Sequence, residues 1–246
     1  MFPIRDTVPR NAFPIVVLSL IVLNTVVFLW EINLPPEWRK AVIMHLGLVP
    51  ARYTLPEWAA LNGLDPYNYL PFLSAQFLHG GFAHILGNMW TLWIFGPALE
   101  DRLGHARFLV FYLVVGLTAM VVHLFMNTTS TVPAIGASGA IAGVMGGYTM
   151  RFPHARILFV VPVLFIPFFF EWPAVLYGFF WFLIQFVQGT QQLFVLNLSG
   201  GVAWWAHVGG FLAGALLIRV MLALGHREPH YFDDQGALGH RPDGRW

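Results

Sequence analysis

The chain has 246 residues, of which 57% are hydrophobic and 10% charged, and its formal net charge is +1. A soluble domain carries about a quarter charged residues, so an ordinary soluble protein is excluded; the near-neutral balance argues against nucleic acid or a polybasic lipid patch as partner. Cysteine is absent, which removes disulfides, thiolate chemistry and cysteine-based metal sites.

The composition fits an all-α polytopic membrane protein, because several stretches reach the ~17–25 apolar residues that cross a bilayer as a helix. Residues 1–12 form a short basic tail with no signal-peptide cleavage pattern, running directly into a first span at 13–32. Residues 33–81 contain Pro35, Pro36, Pro50, Pro56, Pro66 and Pro71 with several charges. They are too polar to cross yet rich in Trp, Leu and Tyr, and are expected to form a partly helical lobe at the interface. Further spans are expected at 82–99, 108–126, 135–150, 172–187 and 202–224, giving a membrane domain over 13–224. Residues 157–170 are strongly apolar but short, and Pro162 and Pro167 interrupt them. They are either an interfacial broken piece or a seventh span, and their length favours the former. Residues 225–246 are polar with Gly and Pro, and are expected to be disordered.

Charge sets the orientation. Six spans with an inside N-terminus place Arg5, Arg10, Arg102, Arg107, Arg151, Arg156, Arg219, Arg227, Arg241 and Arg245 on the inner side, against Arg39, Lys40 and Arg52 outside. That asymmetry fits the positive-inside bias. A multi-pass protein of a bacterial plasma membrane is expected, with both termini cytoplasmic.

This topology puts several polar groups at one depth. His84 and Asn88 lie near the start of the second span, Ser138 near the start of the fourth and His207 near the start of the sixth, all three entering from outside. Five residues into a helix is about 7–8 Å of depth, so the four groups share a layer below the outer surface. An ionisable group there usually faces a cavity or a partner, although a lone histidine is more often a packing residue. His84 and Asn88 are spaced i, i+4 and present two donors from one face. Gly139, Gly143 and Gly147 recur every four residues on the Ser138 helix, as do Gly210 and Gly214 on the His207 helix. By themselves such stripes signal close packing. Here close packing would also bring a serine oxygen to an imidazole.

With "GASG" at 136–139 and "AHVGGFLAG" at 206–214, the chain resembles the rhomboid intramembrane serine proteases over about Asn68 to Leu224. "HGGFAHILGN" (79–88) is similar to the family's second-helix motif, and "FGPALEDRLG" (95–104) to its inner Glu-x-Arg motif, at Glu100 and Arg102. The resemblance implies a rhomboid-like bundle of six transmembrane helices and a Ser–His dyad. Ser138 would be the nucleophile and His207 the general base, within the nucleophile motif of Gly136 and Gly139. It implies an oxyanion hole of His84, Asn88 and the Ser138 backbone N–H, acting on transmembrane protein substrates near the outer face, with no cofactor or metal.

Two departures stand out. The family's Trp-Arg loop motif has no counterpart in "YLPFLSAQFLH", since Trp38–Arg39 lies too far upstream. Where some members stack an aromatic on the histidine, this chain has Ala142, so His207 must rest on other contacts. His79 reads as structural, ordering the outer loop, and Glu100 with Arg102 as a tie between helix ends. The alternative is a catalytically silent rhomboid-like protein that binds and escorts membrane proteins, but such proteins normally lack the serine or the histidine. A transporter would need an inverted repeat and a midplane site, and a haem helix pair would leave the glycine-flanked serine without a purpose.

Overall fold

The computed structural model describes residues 2–163, 166–194 and 202–225; the polar tail expected at 225–246 lies, apart from Gly225, outside the described residues. Helix α1 (Ile15–Ile32) leads into four short helices, α2 (Pro36–Leu46), α3 (Ala51–Thr54), α4 (Pro56–Leu61) and α5 (Pro71–Ser74), and a 3-10 turn at Ala75–Phe77. The longer helices α6 (Phe82–Leu103), α7 (His105–Met126), α8 (Ser138–Arg151), α9 (Ala174–Phe194) and α10 (Trp204–Ala223) follow. Among the described residues, α1, α7 and α10 are long and apolar enough to cross a membrane, and the chain is a membrane protein. The second, fourth and fifth expected spans coincide with α6, α8 and α9. Of these, α8 has only 14 residues, and α6 carries Glu100, Asp101 and Arg102 in its last turn.

Helix α8 is the hub, packing against α6, α7, α9 and α10. Every residue from Gly139 to Thr149 is buried. Its sequence permits this because so many of its positions lack bulk. A Cβ on Gly143 would stand 3.1 Å from the Gly210 carbonyl oxygen, and one on Gly214 would stand 1.8 Å from that of Gly143. The third close approach to α10 is made by Gly146, against the Phe211 carbonyl, rather than by Gly147, which faces Phe111 of α7 and Leu99 of α6. A strict four-residue stripe drifts around a 3.6-residue helix, so the contact line steps back by one.

The expectation of an all-α chain is corrected by a three-stranded antiparallel sheet, order β1-β2-β3, built from β1 (Phe2–Asp6), β2 (Arg156–Val163) and β3 (Ile166–Pro173). Residues 157–163 and 166–170 thus lie in β2 and β3 and do not form a seventh helical span. Their Val, Ile and Phe content suits strands. Their prolines are tolerated because Pro162 and Pro167 face each other in the register, and Pro162 lies beyond the residues of β2 that pair with β1. The basic tail supplies β1 and is anchored. Tyr148 Oη donates to Asp6 Oδ2 at 2.9 Å, Arg10 pairs with Asp6, and Trp90 Nε1 donates to the Pro3 carbonyl at 2.6 Å. Because Arg156 and Pro173 are register partners, the chain leaves the sheet where it entered. Helix α9 therefore starts at the end of the bundle where α8 stops.

At that same end the acidic residues of α6 cap α1. Helix α1 has no side-chain cap of its own at Pro14, and first-turn N–H groups need acceptors. Glu100 supplies both oxygens, accepting from Val16 N–H and Val17 N–H at 2.8 Å each. Asp101 Oδ1 accepts from Ala12 N–H at 2.7 Å. His105 Nδ1 lies 2.6 Å from Glu100 Oε1. Glu100 is thus the tie between helix ends that its motif suggested. Substituting Glu100→Ala strands one buried and one part-buried donor and should cost about 1–3 kcal/mol, read as a lowered thermal unfolding midpoint of the detergent-purified protein.

Candidate active site

The approach to Ser138 is fixed by backbone hydrogen bonds to the outer lobe. Leu48 N–H donates to the Ala134 carbonyl at 3.0 Å, Ala134 N–H returns the bond at 2.8 Å, and Gly136 N–H donates to the Ala75 carbonyl at 2.8 Å. The lobe is itself clamped by buried Arg52, whose Nε and Nη1 donate to the Asp65 and His45 carbonyls at 2.8 and 2.9 Å. Gly136 has φ +120°, a conformation other residues rarely adopt, and it turns the chain so that Ser138 opens α8. The first N–H groups of a helix have no intrahelical acceptor, so the nucleophile candidate sits beside free donors at the positive end of the helix dipole.

His207 is in the first turn of α10, its N–H donating to the Ala203 carbonyl at 3.2 Å. Its Nε2 is 2.8 Å from Ser138 Oγ. Its Nδ1 is 2.7 Å from Oε1 of Gln185 on α9, and Gln185 is buried. With Nδ1–H donating to that amide oxygen, Nε2 keeps its lone pair and accepts the Ser138 O–H. The Trp181 ring is 5.9 Å from the imidazole, tilted by 40°, and the Trp204 ring meets it edge-on at 6.3 Å. The aromatic contact to His207 therefore comes from Trp181 of α9, tilted rather than stacked, and not from position 142.

His84 and Asn88 converge beside Gly136. A Cβ at Gly136 would stand 2.6 Å from His84 Nε2 and 3.5 Å from Asn88 Nδ2, so both nitrogens face the turn that delivers Ser138. Asn88 Nδ2 also donates to His79 Nε2 at 3.0 Å, and His79 N–H donates to Glu31 Oε2 at 3.0 Å. A chain of contacts thus runs from the last turn of α1 through the outer loop to Asn88. The His79 and His84 rings meet at 5.1 Å. Burial, with His84 beside it, holds the His79 imidazole below its ordinary 6.5, at about 4.

The structure thus gathers Ser138, His207, His84, Asn88 and Gly136 in one place. Gly139 lies in the seam with α10, since a Cβ on Gly210 would stand 2.1 Å from its carbonyl oxygen. Sequence reasoning missed Gln185, Trp181 and Glu31. The available signal was polar: Gln185 is a buried amide within the aromatic run of α9, and Glu31 an acid at the end of an apolar helix. Residues 195–201, which follow α9, lie outside the described residues. Chemically, the set offers a hydroxyl with an adjacent base, the base held from behind, and convergent donors for developing negative charge.

A family profile described as Rhomboid domain matches residues 67–224. The chain is 30% identical to "Rhomboid protein 1, mitochondrial" of Saccharomyces cerevisiae over 171 residues, 66% of this chain and 43% of that protein. It is 27% identical to "Presenilin-associated rhomboid-like protein A, mitochondrial" of Danio rerio over 214 residues, 82% of this chain and 46% of that protein. It is 28% identical to "RHOMBOID-like protein 4" of Arabidopsis thaliana over 244 residues, 90% of this chain and 55% of that protein. The chain spans about half the length of the curated relatives it matches. The first two names are mitochondrial, and none supports the bacterial plasma membrane expected from the sequence.

His79 makes the site acid-sensitive. Its value in the fold, about 4, lies below its ordinary 6.5, so between these the unfolded chain binds more protons and stability falls as pH falls. The contribution is fully present above about 6.5 and lost on approaching 4. Unfolding midpoints measured from pH 7.5 down to pH 4.5 should decline, and His79→Gln, which cannot titrate, should flatten part of that decline.

Proposed function

The chain belongs to the rhomboid family, and from that premise we propose that it is an intramembrane serine endopeptidase acting on membrane-anchored protein substrates. The observation that carries this reading is the 2.8 Å contact between Ser138 Oγ and His207 Nε2, with His84 and Asn88 turned toward the same loop.

The reaction follows from the geometry. As Ser138 Oγ bonds to the scissile carbonyl carbon, its proton passes to His207 Nε2. The carbonyl oxygen becomes an oxyanion that accepts from His84, Asn88 and the Ser138 backbone N–H. Collapse of this intermediate breaks the C–N bond, and the proton on Nε2 goes to the departing amine. Water then attacks the acyl-enzyme, giving its proton to Nε2, and Ser138 recovers it when the carboxylic product leaves. No carboxylate contacts His207 among the described residues, so this is the nucleophile–base half of the triad logic. The site lies at the end of the bundle where α8 and α10 begin. Only 14 residues long, α8 rises about 21 Å against about 33 Å for the 22-residue α7, which lets its first residue sit inset from that end. Water can reach such a site from one face without crossing the bilayer.

A fluorophosphonate probe reacts with activated serines and tests the reading directly. Label is expected on Ser138, absent in Ser138→Ala and in His207→Ala, and cleavage of a model transmembrane substrate should be lost in both. Asn88→Ala should slow cleavage by about 10²–10³-fold, the usual cost of one oxyanion donor. A folded protein that takes no label would instead point to a silent, binding or escort role.

A further inference from the structure

Helix α9 makes a thin seam with its neighbours. Among its described residues the buried positions are Ala174, Gly178, Gln185 and Gly189, while Phe179, Phe180, Leu183, Ile184, Phe186 and Val187 on the other faces are exposed. Three of the four buried residues are small, and their spacing follows one helical face. Along that face α9 touches its neighbours closely. A Cβ on Gly178 would stand 2.3 Å from Thr149 Oγ1 of α8, and Trp205 Nε1 of α10 donates to the Gly189 carbonyl at 3.1 Å. Between these two fixed points lies the one large polar side chain of the stripe, Gln185. Its amide oxygen is 2.7 Å from His207 Nδ1.

Resting on the peptidase reading, we infer that Gln185 is a positioning residue for the dyad: it holds His207 in the tautomer protonated at Nδ1, so that Nε2 faces Ser138 as an acceptor. An imidazole free to choose would populate both tautomers, and the one protonated at Nε2 cannot take the serine proton. Gln185 Oε1 accepts and does not donate, so it selects Nδ1–H and fixes the ring plane, with Trp181 one turn back on the same helix limiting tilt. The proton on Nδ1 stays there throughout turnover; only the Nε2 proton moves. The amide also suits its place. A carboxylate buried beside His207 would have to be stripped of water, whereas a neutral amide orients the ring and offers its dipole to the transient imidazolium. The same contact ties the protonation pattern of α10 to the docking of α9, since Gln185 reaches His207 only while α9 lies in its seam.

The test reads the tautomer itself. Full-length protein labelled with 15N-histidine is compared with its His207→Ala variant to assign the His207 ring nitrogens, and Gln185→Leu and Gln185→Glu are measured alongside. The expected result is a protonated Nδ1 and bare Nε2 in the parent and in Gln185→Glu, and a mixed or inverted pattern in Gln185→Leu. In parallel, Gln185→Leu should slow fluorophosphonate labelling and substrate kcat by about tenfold to a hundredfold with KM little changed. That is a part of the ~10²–10⁴-fold that a positioned general base supplies. Gln185→Glu should restore much of the rate. Protonation at Nε2 in the parent, or an unaltered His207 pattern in a folded Gln185→Leu protein, would overturn the inference. A held Nδ1–H tautomer with no label on Ser138 would leave the inference standing and overturn the peptidase reading.

Discussion

The backbone contact between α8 and α10 is the constraint on which the site depends. Lipid tails are as apolar as leucine, so helices in a bilayer gain little from hiding apolar side chains and must associate through close packing and hydrogen bonds. Here packing reaches its limit, with glycine set against carbonyl oxygen at Gly210 on Gly139, Gly214 on Gly143 and Gly146 on Phe211. Only at that separation can residues in the first turn of each helix bring Ser138 Oγ and His207 Nε2 to 2.8 Å. One cause therefore serves both stability and chemistry. The glycine stripes are required by the Ser138–His207 contact as much as by the packing, because a side chain in the seam would move the two groups apart together.

The outer lobe does for the loop before Ser138 what the glycine seam does for the helices. A helix start is a soft place, because its first donors have no partners within the helix. The lobe stiffens it through the paired bonds of Leu48 with Ala134 and the bond from Gly136 to Ala75. On the other side, Glu31 and His79 hold Asn88 from α1 and the outer loop. A segment that reads as a surface elaboration thus lies one hydrogen bond from the nucleophile motif. Its six prolines and short helices place carbonyls and N–H groups at fixed points without requiring a large core.

Much of this was legible in the sequence, and what was missed has physical reasons. The polar outliers Ser138, His207, His84 and Asn88 were readable because an ionisable or amide group in an apolar span needs a partner, and helical depth can be counted from the ends. The sheet was not readable. The segment at 157–170 has no period-2 alternation, and its partner β1 lies about 150 residues away in a tail that looked merely basic. Pro162 and Pro167 read only as interruptions of an apolar run until their facing positions in a register were known. Gln185 was hidden for a related reason: in "WFLIQFVQGT" its single amide is followed three residues later by Gln188, and nothing local says which faces the bundle. Ala142 showed only that the support of His207 had to come from elsewhere, and sequence could not say from which helix.

The two ends of the bundle handle buried polarity in opposite ways, and the difference suits their tasks. At the end where α1 begins, carboxylates do the work: Glu100 and Asp101 accept from backbone N–H groups and Asp6 accepts from Tyr148. Each carboxylate there supplies acceptors to donors of the first helix, the N-terminal segment or Tyr148. At the other end, Ser138 meets imidazoles and amides, and the acid Glu31 accepts from His79 N–H rather than contacting the serine or His207. A permanent charge in that layer would have to be desolvated in every state of the protein and would pull the dyad toward one protonation state at rest. On the peptidase reading, neutral groups that become charged only during the reaction avoid that cost, and their dipoles are already aimed when charge appears. The amide of Gln185 behind His207, where a carboxylate would be the simpler electrostatic choice in water, follows from the same rule. In a low-dielectric layer the orienting partner does best to be polar, rigidly held and uncharged.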